Sequence, residues 1–342
     1  MASYLLGIVS LVLILVALTA FPGALADEIY RWRDAHGVLH FSDAPPGSGD
    51  ADLLLSTPRS EPTRTKGVRP PTATPDALPK GMLWRIESGR SAPSFLLGTI
   101  HSSDPRVLQW PAKVNDALKH ARCLVMEMTL ESDTFFKLGS AMMFTDDHDI
   151  ADLLGPSDYR RLRVAMADQP LPENFLRKMK PWVLMAMLSQ PGSGSKEFMD
   201  MRLYRRALGD GKRVFGLETV DEQLAVFEGM TMEDQVALLK AALDQAEELP
   251  GMTAQMVDTY LTGDLEALAA LAEAFAQKDN SALQARFMRR LNDERNERMV
   301  ERLLPRIEEG GAFIAVGALH LAGPTGLIRQ LSKRGCRLTP VN

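Results

Sequence analysis

Two segments far apart in the chain share one design. Phe95-Leu96-Leu97-Gly98-Thr99-Ile100-His101 is followed by Pro105, and Ile314-Ala315-Val316-Gly317-Ala318-Leu319-His320 by Pro324. Each reads as a buried apolar strand that ends in a glycine, a small residue, an apolar residue and a histidine. A second pair matches as well. Arg122-Cys123-Leu124-Val125-Met126-Glu127 and Arg213-Val214-Phe215-Gly216-Leu217-Glu218 both place a carboxylate at the carboxyl end of an apolar run. Along the chain the order is His, Glu, Glu, His, a mirrored half-repeat.

Two imidazoles and two carboxylates meeting at one edge form either a divalent-metal site or an acid/base pair. Nitrogen and oxygen donors without thiolate suit Mn, Fe, Co or Zn, and a carboxylate left free supplies a general base for hydrolysis. The glycine three residues before each histidine, Gly98 and Gly317, allows a close approach that a β-carbon would block. A lone Gly-x-x-His carries little information, since a histidine ending a strand is most often structural. The doubling, with matched glutamates, is what singles out His101, His320, Glu127 and Glu218.

To bring these residues together the strands must be parallel neighbours with their carboxyl ends on one side, where ligands sit in open α/β sheets. Apolar runs at 83 to 87, 93 to 97, 122 to 128, 213 to 217 and 312 to 317 bracket a helical stretch from 153 to 302. The expected fold is α/β: a central sheet carrying the paired Gly-x-x-His strands, with a large helical insert, over residues 81–342. The Met-rich stretch Met179 to Met187 reads as helix core rather than a binding surface. Asp146-Asp147-His148-Asp149 lacks the spaced ligands and glycine of a calcium loop and reads as a solvated turn. The mixed-charge run from Arg289 to Arg298 reads as an exposed helix face with a few residues turned inward.

The tail Phe313 to Gly323, with Gly326-Leu327-Ile328 and the closing Gly335-Cys336-Arg337-Leu338-Thr339-Pro340-Val341, resembles the TraB/PrgY/GumN family. That family is related to the Tiki proteases and, more distantly, to ChaN-like haem-binding lipoproteins and erythromycin esterases. Further marks agree: Leu97-Gly98-Thr99-Ile100-His101, Glu127, Pro181-Trp182, Asp200, Gly216-Leu217-Glu218-Thr219, Gly263-Asp264-Leu265 and Arg295-Asn296. The resemblance implies a metal-dependent hydrolase, a peptidase, acting on a peptide or protein substrate with manganese or cobalt favoured over zinc or iron. It implies His101 and His320 as metal ligands or catalytic histidines, and Glu127 and Glu218 as carboxylates for metal or base. Arg295 and Asn296 become polar partners in the cleft. One departure is visible: Met128-Thr129 follows Glu127 where many relatives have an acidic residue. The competing reading is a non-catalytic module that sequesters a peptide signal or a haem-like ligand.

The 342 residues, with 39 Lys+Arg against 44 Asp+Glu and 45% hydrophobic, have an ordinary globular composition with no basic block for nucleic acid. Residues 1–26 carry no charged side chain and end in Ala24-Leu25-Ala26, so they read as a signal peptide cut after Ala26. That implies a periplasmic or secreted protein, or, if the segment is not cut, one anchored in the inner membrane. In such an oxidising space Cys123 and Cys336 either pair or remain two buried thiols. Residues 27–57 alternate around Ala35-His36-Gly37 as a small β-hairpin module, similar to a bacterial envelope domain of unknown function, with an envelope partner implied. Residues 58–80 contain six prolines and read as a semi-extended linker.

Overall fold

The computed structural model describes residues 78–341 apart from 130–131, 170, 189–197 and 277–281, and the backbone of three earlier strands. The expected leader over 1–26 with its cleavage after Ala26, the turn Ala35-His36-Gly37 and the proline-rich stretch from Pro58 to Ala77 lie outside the described residues. The chain divides into two compact units, one of them Thr19–Arg69. In that unit β1 (Ile29–Arg33) pairs antiparallel with β2 (Leu39–Ser42), as the alternation predicts, and also with β3 (Asp52–Leu55). A third strand is added to the hairpin. An isolated pair of strands is marginal in water, and the run Leu53-Leu54-Leu55 provides a third.

The larger unit is built on a mixed sheet of six strands. Its members are β4 (Leu83–Glu87), β5 (Ser94–Thr99), β6 (Cys123–Met126), β7 (Arg213–Gly216), β8 (Ala312–Gly317) and β9 (Arg337–Pro340). Their order is β7-β6-β8-β5-β4-β9. The pairs β7–β6, β6–β8 and β8–β5 are parallel, while β4 runs antiparallel to both β5 and β9. Strands covered on both faces must be apolar throughout rather than alternating. β6 and β8 are buried at every position. Register then aligns the strand ends: Thr99 faces Gly317, and Met126 faces both Ala315 and Gly216.

Helices fill the sequence between β6 and β8, as the periodicity predicts. Pro181–Leu188 is buried at every residue, so the methionine-rich stretch is core. Asp149 caps the helix Ile150–Ala165 by accepting from the Ala151 N–H, while Asp146 and His148 stay exposed, which makes that acidic run a helix entry. Cys123 and Cys336 are both free and buried.

The helix Val220–Glu228 begins two residues after Glu218 with a capping box between Thr219 and Glu222. Arg302 clamps Glu222 from the helix Glu294–Glu309, at 2.6 and 2.8 Å. The Arg302 hydrogen bonds pull the Glu222 carboxyl down to about 2. A depressed carboxylate stabilises the fold above its ordinary range, and that stabilisation is lost as pH falls from about 4.5 toward 2. Glu222 is half-buried and its partner Arg302 is exposed, so screening leaves about 0.5–1 kcal/mol. Glu222→Gln is expected to cost that amount in urea unfolding at pH 7. The gap should close near pH 2.5; an undiminished gap there would contradict the assignment.

Candidate active site

The parallel strands deliver the four residues to one edge. His101 lies two residues beyond β5, Glu127 directly after β6, Glu218 two residues beyond β7 and His320 three beyond β8. Across the sheet they follow the order Glu218, Glu127, His320, His101. The backbone ladder continues past the strand ends, with the Glu218 N–H donating to the Glu127 carbonyl at 2.8 Å. Gly98 allows close packing: a β-carbon there would lie 3.1 Å from Ala318 Cα and Cβ, and the turn would have to shift by a few tenths of an ångström. The close neighbour is the chain's own turn, Ala318–His320.

All four side chains are buried, and so are Arg295 and Asn296. Arg295 comes from the helix Glu294–Glu309, whose inward stripe runs Arg295, Asn296, Met299, Val300, Leu303 and Ile307. A π-helical turn, Arg289–Asp293, precedes it. Such turns interrupt an α-helix at a cost and recur at functional sites. The guanidinium links three of the four residues. Nη2 donates to Glu127 Oε2 at 2.6 Å and to Glu218 Oε2 at 2.7 Å, Nε donates to Glu218 Oε2 at 2.9 Å, and Nη1 donates to His320 Nε2 at 3.2 Å. The other Nη1 hydrogen bond goes to the Leu291 carbonyl at 3.1 Å. All five N–H donors of the fork are therefore used. Arg295 holds the cluster together and has no donor left to offer a substrate.

Each histidine is oriented by a second residue. Asn296 Oδ1 lies 2.6 Å from His320 Nδ1, and the Asn296 amide is fixed in turn by its Nδ2 bond to the Thr325 carbonyl. His320 therefore carries its proton on Nδ1 and presents its lone pair at Nε2. Burial drives the His320 pKa down to about 4, so the imidazole is neutral. His101 Nδ1 lies 3.1 Å from Asp200 Oδ2, without the alignment of a hydrogen bond, and Thr99 Oγ1 donates to Asp200 Oδ1 at 2.8 Å. Burial pushes the Asp200 carboxyl up against the pull of His101 and Thr99. His101 Nε2 is buried and has no hydrogen-bond partner. Tyr260 completes this half by donating to the Gly98 carbonyl at 2.8 Å.

The two glutamates differ in what they can do. Burial raises the Glu127 carboxyl, but Arg295 and the two imidazoles outweigh it and hold the group at about 2. Such a carboxylate is a permanent anion and a poor proton acceptor at neutral pH. Its Oε1 accepts from the Gly317 N–H at 2.8 Å and lies 3.7 Å from His320 Nε2. Glu218 is saturated: besides Arg295 it accepts from Arg298 at 3.2 Å and from Gln223 at 3.3 Å. Both carboxylates are buried, yet the Arg295 charge between them is raised in pKa because the pair more than offsets its burial.

A divalent ion asks for nitrogen and oxygen donors converging on one point. By donor type His101 Nε2, His320 Nε2 and the ionised Glu127 fit; of these the His101 nitrogen is unpartnered, while Arg295 occupies His320 Nε2 and Glu127 Oε2, so an ion there would have to displace the guanidinium. Glu218 does not fit, because its oxygens are engaged by two arginines and a glutamine. Among the described residues no three His, Cys, Asp or Glu side chains gather around one point, since the Arg295 guanidinium stands among Glu127, Glu218 and His320.

Asp200 and Arg298 emerge from the structure as site residues. Asp200 shares a buried stripe with Leu203 and Ala207 on the helix Met199–Gly209, so an acidic residue on an apolar face was the available signal. It places a carboxylate beside His101 in the first half. Arg298, one turn from Arg295, had no such mark within its mixed-charge run.

Comparison with known proteins agrees with this frame. Residues 16–80 match a domain of unknown function, DUF4124. A relative from Xenopus tropicalis, "Metalloprotease TIKI1", is 26% identical over 306 residues, covering 74% of this chain and 60% of that protein. A second from Amphimedon queenslandica, "Metalloprotease TIKI homolog", is 24% identical over 316 residues, covering 76% and 61%. The chain thus spans about 60% of the length of these curated relatives. No solved structure matches it. The model of the TraB/PrgY/gumN family matches residues 82–340, the whole of the sheet and its helices, and the chain belongs to that family.

Proposed function

We infer that this protein is an extracytoplasmic metal-dependent hydrolase that cleaves peptides or proteins. The observation that carries the reading is the orphaned His101 Nε2 beside the buried cluster of Glu127, Glu218, Arg295 and His320, in a chain similar to two proteins named metalloproteases. His101 and His320, with Glu127, would hold the ion. When bound, a divalent ion supplies Lewis acidity toward the scissile carbonyl. Asp200 beside His101 Nδ1 and Asn296 beside His320 Nδ1 would leave each Nε2 as the nitrogen for the ion. Arg295 and Glu218 do not meet the substrate; they fix Glu127 and His320 in place and balance the buried charge. The uncharged, apolar segment 1–26 supports a periplasmic or secreted location.

A second reading, a non-catalytic module sequestering a peptide signal or haem-like ligand, is favoured by one fact: among the described residues the donors do not gather around one point. Metal analysis of the full-length protein, purified without chelator, separates the two. About one equivalent of Mn, Co, Fe or Zn in wild type, lost in both His101→Ala and His320→Ala, is the expected result. Folded wild type that takes up no metal from Mn or Co solutions would overturn the hydrolase reading in favour of the binding module.

A further inference from the structure

A half-open cavity of about 310 Å³ lies away from the candidate active site and touches none of His101, Glu127, Glu218 or His320. One water molecule needs only about 10–15 Å³ on that scale, so the cavity has room for a ligand of many atoms. It is bounded by the entry to β4, by the helices Pro105–Leu108 and Ala112–His120, and by the end of the helix Leu249–Leu261. Its floor is packed core: Leu83, Leu97, Val107, Val114 and Met199 are all at most 4% exposed. Trp110 and Tyr260 add aromatic surface, and the Tyr260 hydroxyl is already bonded to the Gly98 carbonyl. Three charged side chains stand in the lining, Lys80, Arg106 and Lys113. All three are cations, and no Asp or Glu is among the residues that line the cavity.

The three cations are not equivalent. Arg106 is held by Asp104 at 2.7 Å and Asp258 at 2.8 Å, and Lys80 by Asp264 at 3.2 Å. Lys113 is half-buried, and its one partner among the described residues is the Val341 carbonyl, at 2.6 Å. An ammonium carries three donors, so its charge is unbalanced and two donors are left for a ligand. Arg202 adds a second cation with no carboxylate among the described residues: its guanidinium stands 5.5 Å over the Trp110 ring and donates to the Leu108 carbonyl at 3.0 Å. We propose that this cavity is a binding site for a small amphipathic carboxylate, its apolar body on the floor formed by Leu97, Val107 and Met199 and its carboxylate at Lys113. An apolar floor favours a ligand body that leaves water, and a carboxylate taken from water needs a cation in return. The lining provides both and offers a cationic ligand no counter-charge. The inference stands apart from the hydrolase reading, since no residue of that chemistry takes part in it.

The test is isothermal titration calorimetry of the full-length protein with three probes of one chain length, octanoate, 1-octanol and octylamine. Octanoate is expected to bind at least about tenfold more tightly than either of the others, the worth of one hydrogen bond to a charged group. Lys113→Gln should remove that preference while leaving octanol binding unchanged, and Lys113→Glu should turn it toward octylamine. Leu261→Glu, at an exposed residue of the lining, brings a like charge to the ligand and should also weaken octanoate; it is the second variant if the Lys113 changes disturb the fold. N-acetyl-dileucine presents the same carboxylate on a peptide. Binding tighter than octanoate assigns the site to peptide carboxyl ends, and weaker binding assigns it to acyl carboxylates. Octanol or octylamine bound as tightly as octanoate, no binding of either carboxylate, or a preference unmoved in the variants would overturn the proposal. None of these readouts depends on turnover or on metal content.

Discussion

Arg295→Leu is expected to lower the stability of the larger unit by about 3–5 kcal/mol, measured by urea unfolding at pH 7. Leucine preserves much of the apolar stem but removes all five donors at once. Glu127 and Glu218, no more than 4% exposed, would keep only the more exposed Arg298, which reaches Glu218 at 3.2 Å and leaves Glu127 without a cation. The depressed Glu127 carboxyl shows how strongly the Arg295 cation acts in the native protein. Without it, like charge and burial both raise the pKa values of the pair, so the variant's deficit should shrink as pH falls and the carboxylates take up protons. Arg295→Lys keeps one charge but loses the fork, and should fall between wild type and leucine. Adding Glu218→Gln to Arg295→Leu should restore part of the loss, because the cost comes from the uncompensated buried charge. A loss below about 1 kcal/mol in the single variant would mean that the cluster is solvated and that Arg295 does not hold it together.

Much of this arrangement was legible in the sequence, because it depends on local order. A continuous apolar run is what a strand buried on both faces requires, and His101, Glu127, Glu218 and His320 each stand within three residues of the end of one. Parallel strands then send those residues to the same edge, whatever the order of the strands. The neighbours were not legible. β8 inserts between β5 and β6, which places His320 beside Glu127 and gives the half-repeat its spatial order; nothing in a linear sequence specifies that insertion. Arg295 illustrates the same limit. Its place on an inward stripe is visible in the spacing to Met299 and Leu303, whereas the use of every one of its N–H groups is a tertiary fact. As a polar partner in the cleft, Arg295 commits its donors to Glu127, Glu218, His320 and the Leu291 carbonyl. Asp200 was visible as a family mark, but its partner His101 lies 99 positions earlier, and only the packing of the helix Met199–Gly209 brings them together. The third strand of the N-terminal unit was passed over because its few residues are continuous leucine rather than alternating.

His101→Ala is expected to reduce kcat/KM by at least about a thousandfold with the far-ultraviolet circular dichroism unchanged, whereas Asp200→Asn should cost about 10- to 100-fold. The difference follows from where the two side chains stand. His101 Nε2 is a buried imidazole nitrogen that no protein group satisfies, so its removal takes away the atom that would meet the ion or the reacting group. Asp200 acts through His101: it faces Nδ1 from behind and is itself held by Thr99. Asparagine retains the shape and loses the charge, leaving the imbalance in orientation and basicity rather than in the ligand itself. Its effect should therefore appear as weaker metal retention as well as slower turnover, a readout that a merely structural residue would not move. Stability should change in the opposite sense to Arg295→Leu. Burial raises the Asp200 carboxyl, so its ionised form costs stability at neutral pH, and replacing it with a neutral amide should leave the melting temperature unchanged or slightly higher. A residue retained at a cost in stability, and missed only when metal retention and turnover are measured, is what a positioning role for Asp200 requires. Full activity and metal content in Asp200→Asn, or in His101→Ala, would move the chemistry away from β5 altogether.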